Sequence, residues 1–172
     1  MNGQIKLVID VLAEFDGQLK SMLNVGYRHN SNSEIYHWCR KHKRNFNILE
    51  AHKPNVDWCT KNVEGASVIN GDVRDIDTLV EDNKYDFIIW LHGPEHVTWK
   101  EFTDVRLTLE KKSRHGVIYQ APLGERPQGN LYGNPFEVHK AVLYPHVFQK
   151  LGYAIAIHDT NTEHCFSAYK VW

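Results

Sequence analysis

The residue with the clearest capacity for chemistry is Glu50, whose carboxylate ends the largely apolar run 46–49. It follows the turn at Gly26 by about one helix and one strand, a spacing typical of α/β folds that bind nucleotides. In such folds the carboxylate accepts hydrogen bonds from both hydroxyls of a ribose. Taken alone, a glutamate here is more often a solvated loop residue, so the surrounding elements decide between the two interpretations. Their order leads us to predict that Glu50 binds a nucleoside.

Histidines offer the next candidate chemistry. His92 and His96 stand four residues apart, which is the spacing of two zinc ligands carried by one helix. Gly93 and Pro94 would break that helix, so we predict no metal site and expect His96 to pack under a strand. His92, at the tip of a strand, and His139, after a loop rich in glycine and proline, are predicted general bases, because histidine titrates near neutral pH.

These residues fall at the ends of predicted β-strands that alternate with helices. Apolar residues at helical spacing predict a lead-in helix within residues 1–20. Short apolar runs then predict five strands, at 22–25, 46–50, 66–69, 85–91 and 116–119. The fourth run is apolar over its last five residues. It should lie in the middle of the sheet, because a central parallel strand is covered on both faces.

The order of the elements predicts the fold class. Strands that alternate with helices through short loops form a parallel sheet with right-handed crossovers. Two further β-type runs, 153–157 and 166–171, are too close for a crossover helix and should pair as a hairpin. We therefore predict an α/β fold, a Rossmann-like three-layer sandwich of about seven strands, mostly parallel with a C-terminal antiparallel hairpin. The 172 residues fit a single domain, 1–172.

Composition narrows the classes of partner. The chain has 42% hydrophobic and 24% charged residues and a formal net charge of -1, without the basic footprint of a general nucleic-acid binder. No apolar run approaches the roughly 18 to 20 residues of a membrane span. Cys39, Cys59 and Cys165 are odd in number and widely spaced, which fits reduced thiols. We expect a soluble, cytoplasmic protein with a small-molecule partner, no nucleic acid and no membrane; homo-oligomerisation stays open.

The order of five helix-linked strands and a terminal hairpin resembles the class I S-adenosylmethionine-dependent methyltransferases, in the small form that has no added substrate domain. The resemblance covers nearly the whole chain. Each motif is short, but their order and spacing together are fairly specific. The motifs are Gly26 after the first strand, Glu50 ending the second, Gly71-Asp72-Val73 after the third, Tyr85 to Ile89 running into Glu95-His96-Val97 at the fourth, and Gly116-Val117-Ile118 opening the fifth.

The resemblance implies S-adenosylmethionine (SAM) as the cofactor and a role for each motif. Glu50 would bind the ribose, because an ionised carboxylate accepts two hydrogen bonds at once. Asp72 would accept from the adenine amino group, with the amide of Val73 available to a ring nitrogen. The peptide at Leu91 would reach the methionine end, beside Gly26. For Asp72 a turn or a helix N-cap is an equally good interpretation.

The first loop departs from the pattern of the family. Asn24 to His29 supplies one glycine, Gly26, with bulky neighbours, whereas the family carries an acidic residue and alternate glycines. Glycines there allow the backbone to approach the ligand. Arg28 or His29 could instead contact the methionine carboxylate. The alternative is a non-catalytic binding or scaffold protein that keeps the fold, with Tyr27 and Arg28 filling the cleft.

The loop 122–135 is the predicted substrate-side wall. It follows the fifth strand and carries a polar set suited to a hydroxylated or charged acceptor. Leu91 to Pro94 stands where amino-group methylases of DNA carry an Asn-Pro-Pro-Tyr type of run, which disfavours a base methylase. We therefore predict methyl transfer to oxygen or nitrogen of a small-molecule or sugar-type acceptor. A dehydrogenase is disfavoured by the terminal hairpin and the missing glycine fingerprint.

Overall fold

A computed structural model describes residues 3–27, 29–131, 133–159 and 164–172, with only the backbone described for 29–31. Seven strands form one sheet: β1 Ser21–Val25, β2 Asn45–Glu50, β3 Ser67–Asn70, β4 Tyr85–Leu91, β5 Ser113–Pro122, β6 Ala154–Asp159 and β7 His164–Val171. One α-helix precedes the strands and five lie between them in these residues: α1 Gly3–Glu14, α2 His29–Lys41, α3 Lys53–Asn62, α4 Ile76–Leu79, α5 Trp99–Lys112 and α6 Pro145–Lys150. None of these helices is long and apolar enough to cross a membrane.

The sheet has the strand order β3-β2-β1-β4-β5-β7-β6. β1 pairs in parallel with β2 and β4, and the parallel pairs β2·β3 and β4·β5 extend the sheet on either side. β7 is antiparallel to both β5 and β6. The predicted fold class, a mostly parallel sheet with an antiparallel C-terminal hairpin, is confirmed. Residues 160–163, where the hairpin turns, lie outside the described part of the chain.

Two apolar cores cover the two faces of the sheet and make three layers. All seven residues of β4 are buried, because alternate side chains enter opposite cores. Ile88 and Trp90 join the core that holds Phe102 of α5, and Phe87 and Ile89 join the other. The first core also packs α4 and α6, and the second packs α1, α2 and α3. The expected position of β4 in the middle of the sheet is therefore correct.

The strand order determines where a ligand can bind. After β1 the chain adds β2 and β3 on one side of that strand. It then crosses over and adds β4 on the other side of β1. In open α/β sheets such a reversal opens a crevice beyond the carboxyl ends of the strands. The 3₁₀ turn Pro94–His96 begins there, directly after β4. The helix α1, which lies within the predicted lead-in segment 1–20, brings Gln4 to the same edge of the sheet, where its main-chain oxygen accepts from Gln120 Nε2 at 3.1 Å.

Candidate functional site

A cavity of about 320 Å³ opens at this reversal point. Its floor lies at the carboxyl ends of the four parallel strands β1 to β4. The lining residues there are 25–27, 49–51, 71–74 and 90–93. Its other walls come from α3 and from the loop 134–140. Because the carboxyl ends of parallel strands meet at one edge, residues distant in sequence converge here. The volume lies within the range of small-molecule sites.

Glu50 is fixed at the cavity by two backbone hydrogen bonds. The residue is 6% exposed. Its Oε2 accepts from the amide of Tyr27 at 3.1 Å, and its Oε1 accepts from the amide of His52 at 2.8 Å. Burial raises the pKa of Glu50, and the hydrogen bonds from these two amides and from the Asn55 side chain oppose the rise. A carboxylate has about four acceptor positions, so Glu50 can still accept from a ligand in the cavity.

The turn after β1 depends on one glycine and one buried asparagine. Gly26 has a φ of +66°, a left-handed conformation that favours glycine, and a Cβ built on it would have no atom within 4 Å. The carbonyl of Gly26 accepts from Asn24 Nδ2 at 2.6 Å, and Asn24 Oδ1 accepts from Asn32 Nδ2 at 2.7 Å. The backbone therefore lies open to the cavity without the additional glycines. Arg28, predicted to contact the cofactor, lies outside the described residues.

Tyr27 forms part of a cavity wall. Its ring stacks on Trp58 of α3 with centroids 6.2 Å apart and meets Phe46 edge-on at 6.2 Å. Burial raises the pKa of Tyr27 to about 12, which keeps the phenol neutral. The ring is thus held against α3 and β2, and the cavity beside it remains open.

Asp72 lines the cavity and caps the 3₁₀ turn Val73–Asp75 that precedes α4. Its Oδ1 accepts from the amide of Arg74 at 2.9 Å and from Arg74 Nε at 3.0 Å. Burial opposes ionisation, yet the Arg74 guanidinium holds the pKa of Asp72 below its ordinary value. Arg74 also donates to Glu101 at 3.0 Å and so joins this loop to α5. The N-cap interpretation is confirmed, and the predicted adenine contact of Asp72 and Val73 stays a prediction.

Leu91 and His92 form the edge of the cavity at the end of β4. His92 has a left-handed φ of 48°, and its amide donates to the carbonyl of Gln120 at 3.0 Å. His92 Nε2 lies 3.0 Å from Gln4 Oε1, so α1 orients the ring. The peptide predicted to reach a cofactor therefore has its N–H engaged by β5, while the imidazole of His92 stays at the cavity.

His139 lines a second cavity of about 260 Å³. The other walls of this cavity come from Glu95 and from residues within 122–127 and 140–143. Its Nδ1 contacts the carbonyl of Arg126, and its ring meets His96 with centroids 4.9 Å apart. Glu95 Oε1 lies 4.0 Å from His139 Nε2 and 4.0 Å from His92 Nδ1. The two histidines predicted as bases thus approach one carboxylate from different cavities.

The predicted substrate-side loop 122–135 borders both cavities. Asn134 lines the first, whereas Glu125 and Arg126 line the second. Lys140, just beyond the loop, lines both. Tyr132 lies outside the described residues.

Several lining residues were not predicted from the sequence. They are Ala51, Asn55, Trp58, Arg74, His96, Phe136, Glu137 and Lys140. Most belong to α3 or to the loop 134–140, which reach the site through tertiary packing. Asn134 had a local signal, because asparagine before Pro135 favours a capped turn, and its Oδ1 accepts from the amide of Phe136 at 3.0 Å.

No protein-family model and no curated protein sequence matches this chain. Solved structures match its fold. A SAM-dependent methyltransferase from Archaeoglobus fulgidus is 14% identical, with a TM-score of 0.66 over 99% of this chain and 95% of that one. The magnesium protoporphyrin IX methyltransferase ChlM from Synechocystis PCC 6803 with bound SAH is 15% identical. Its TM-score is 0.65, over 98% of this chain and 83% of that one. A SAM-dependent methyltransferase from Aquifex aeolicus is 18% identical, with a TM-score of 0.60 over 95% of this chain and 88% of that one.

Identities this low establish the fold alone. The chain has the class I SAM-dependent methyltransferase fold, in agreement with the resemblance seen in the sequence.

Proposed function

We propose that this protein binds SAM in the first cavity and transfers its methyl group to oxygen or nitrogen of a small-molecule or sugar-type acceptor. The proposal rests on Glu50, a buried carboxylate fixed by two backbone amides at the end of β2 and lining the cavity. The fold supports it, because the solved structures that match include SAM-dependent methyltransferases and one with bound SAH. SAM, when bound, supplies an electrophilic methyl group on sulfur.

The residues present fit this cofactor in four respects. Glu50 can accept hydrogen bonds from both ribose hydroxyls. The open space over Gly26 allows a ligand to approach the backbone at the end of β1. Asp72 stays ionised beside Arg74 and can accept from an adenine amino group, with Val73 next to it. Leu91 borders the same cavity, on the side of Gly26 where we expect the methionine portion.

His92 is the base that we propose for the acceptor. SAM, when bound, would supply its methyl group to an acceptor oxygen or nitrogen, with the demethylated thioether as the other product. The acceptor proton then passes to His92, whose ring is held at the cavity by Gln4. His139 is the second candidate base, on the side of the second cavity. Most of the rate would come from proximity and in-line geometry.

The second cavity is the proposed acceptor site. Its lining includes Glu125, Arg126, His139 and Lys140, which are polar groups that can orient a hydroxylated or charged molecule. It shares Lys140 with the first cavity, so the two sites are adjacent. A small-molecule acceptor also agrees with ChlM, a methyltransferase of magnesium protoporphyrin IX with a similar fold.

Calorimetric titration of the full chain with SAM, with its demethylated product SAH and with NAD+ tests the cofactor assignment. We expect saturable binding of SAM and SAH and none of NAD+. No detectable binding of either SAM or SAH at millimolar ligand would refute the proposal. Release of SAH from SAM in the presence of an acceptor panel then distinguishes a methyltransferase from a binding protein that keeps the cofactor without turnover.

A further inference from the structure

Two segments that are distant in sequence, one after β4 and one at the end of the loop 134–140, meet beside the first cavity. They bring together Glu95, His96 and His139. One potential ligand atom from each of the three lies within 4.8 Å of the others. The segments are held together by the main chain, because the amides of Lys140 and Ala141 donate to the carbonyl of Glu95 at 2.8 and 3.2 Å. The cluster is therefore fixed by backbone hydrogen bonds and does not depend on a helix between His92 and His96.

Glu95 is a buried carboxylate that lacks a partner for one oxygen. The residue is 3% exposed, and its Oε2 has no hydrogen-bond partner within the described part of the chain. Burial, together with the nearby carboxylate of Glu137, raises the pKa of Glu95 to about 8. Burying a carboxylate that has one oxygen without a donor and no positive partner costs roughly 2 kcal/mol or more. A cation at this position would offset that cost.

His139 is held in the tautomer that a metal requires. Its Nδ1 contacts the carbonyl of Arg126, which only accepts, so the ring proton resides on Nδ1. Nε2 then carries a lone pair and lies 4.0 Å from Glu95 Oε1. Metal-binding histidines are typically oriented by such a bond from the second ring nitrogen to a backbone carbonyl.

His96 also has a nitrogen with a lone pair. Its Nδ1 lies 3.3 Å from the carbonyl of Val138, and its Nε2 lies 3.1 Å from the carbonyl of His92. Burial lowers the pKa of His96, which keeps the ring neutral, and a neutral imidazole has one N–H. Only one of these two contacts can be a hydrogen bond. The other nitrogen then carries a lone pair that faces the lone pairs of a carbonyl oxygen. A cation bound to that nitrogen would relieve this repulsion.

We propose that Glu95, His96 and His139 bind a divalent transition-metal cation such as Zn²⁺ or Co²⁺. In a tetrahedral site with metal bonds of about 2.1 Å, two ligand atoms lie about 3.4 Å apart. The 4.0 Å between His139 Nε2 and Glu95 Oε1 is close to this separation and shortens to it by a small side-chain rotation. All three potential ligand atoms lie within 4.8 Å of one another, so similar rotations bring His96 to the same ion. Two imidazoles and one carboxylate favour this class of ion over Mg²⁺ or Ca²⁺.

Three protein ligands leave at least one coordination position for another molecule. His96 lines the first cavity, and Glu95 and His139 line the second, so the ion would lie where the two meet. Its remaining position suits an acceptor oxygen, and because the ion would occupy Nε2 of His139, His92 is then the base. This role rests on the proposed methyl transfer, whereas binding of the ion alone does not.

Titration of the chelator-treated full chain with Co²⁺, followed by its visible absorption and without SAM, tests the site. We expect saturation at one equivalent and displacement by Zn²⁺. His139→Ala and Glu95→Gln should each weaken Co²⁺ binding by about tenfold or more. The matched control is His146→Ala, which removes an exposed histidine of α6 outside the cluster and should leave Co²⁺ binding unchanged.

The proposal is overturned if Co²⁺ does not bind saturably, or if wild type, His139→Ala and Glu95→Gln bind it equally. If Glu95→Gln does not fold, His139→Ala decides, because its side chain is partly exposed and its main-chain bond to Gln128 remains. SAM binding is measured separately on metal-free wild type. Loss of the ion site and failure of the cofactor assignment therefore give different results.

Discussion

Replacement of Glu50 by alanine is the sharpest test of the proposed cofactor site. The substitution removes the carboxylate and leaves the main chain of β2 in place. The carbonyl of Glu50 would still accept from the amide of Gly71 at 3.0 Å and from Asn70 Nδ2 at 3.1 Å. The end of the strand should therefore stay in register, so that a change in ligand affinity reports on the side chain.

The magnitude follows from the hydrogen bonds that Glu50 would make to a ribose. A hydrogen bond to a charged acceptor contributes about 1.5–3 kcal/mol, and two hydroxyls are available. We take the lower bound for both bonds, because the carboxylate already accepts from Tyr27 and His52. Glu50→Ala should then weaken SAM binding by about 3 kcal/mol, on the order of 100-fold in Kd. Glu50→Gln keeps one acceptor oxygen and should lose roughly tenfold.

Calorimetry with SAM on wild type, Glu50→Ala and Glu50→Gln measures these affinities. Glu81→Ala is the matched control, since it removes an exposed glutamate whose side chain pairs with Lys84. Thermal unfolding of each variant shows whether it is folded at the temperature of the titration. The control should bind SAM as wild type does.

One outcome contradicts the ribose assignment directly. If wild type binds SAM and Glu50→Ala binds it within about twofold, a difference below roughly 0.5 kcal/mol, the cavity holds the cofactor in another orientation. The same conclusion follows if Glu81→Ala loses as much affinity as Glu50→Ala, because the loss would then not be specific to the site.

Two further predictions concern pH and packing. Burial raises the pKa of Glu50 above 4.5, and the ionised form accepts the hydroxyls, so SAM affinity should fall as pH is lowered through that raised pKa. The affinity of Glu50→Gln should stay flat over the same range; equal slopes in titrations across pH would contradict the assignment. A Cβ on Gly93 would lie 2.0 Å from Nε1 of the buried Trp90, so Gly93→Ala should cost about 1–3 kcal/mol in denaturant unfolding. Gly129→Ala, where a Cβ meets open space, should cost less than Gly93→Ala; similar losses would show that the clash is relieved.

The sequence predicted the sheet because its signals are local. The run 85–91 is apolar and proves to be β4, buried along its whole length. The short link between the last two runs required a hairpin, and β6 and β7 pair antiparallel. Glu50 was found in the same way, since its position depends only on where β2 ends.

The first loop could not be predicted in detail, because its shape depends on distant partners. The sequence suggested that bulky neighbours of Gly26 would intrude on a cofactor. In the structure Gly26 has the positive φ, and Asn24 secures the turn through its bond to the Gly26 carbonyl. The ring of Tyr27 packs on Trp58. No spacing in the sequence reveals these tertiary contacts.

The histidine cluster escaped prediction for a related reason. The sequence shows His92 and His96 four residues apart, which directs attention to a helical pair that Gly93 rules out. His139 reaches Glu95 and His96 because backbone amides at 140 and 141 donate to the Glu95 carbonyl. Such a pairing across more than forty residues leaves no periodic trace in the sequence.

Two buried carboxylates in this site illustrate how environment separates the roles of identical side chains. Both Glu50 and Glu95 have pKa values raised by burial. Glu50 is oriented by two backbone N–H groups, one on each oxygen, and a neutral hydroxyl donor can complete its hydrogen bonding. Glu95 has an oxygen without a partner among the described residues and two imidazoles next to it, so a cation satisfies it better than a hydroxyl. The first carboxylate therefore suits a ribose, and the second suits a metal ion.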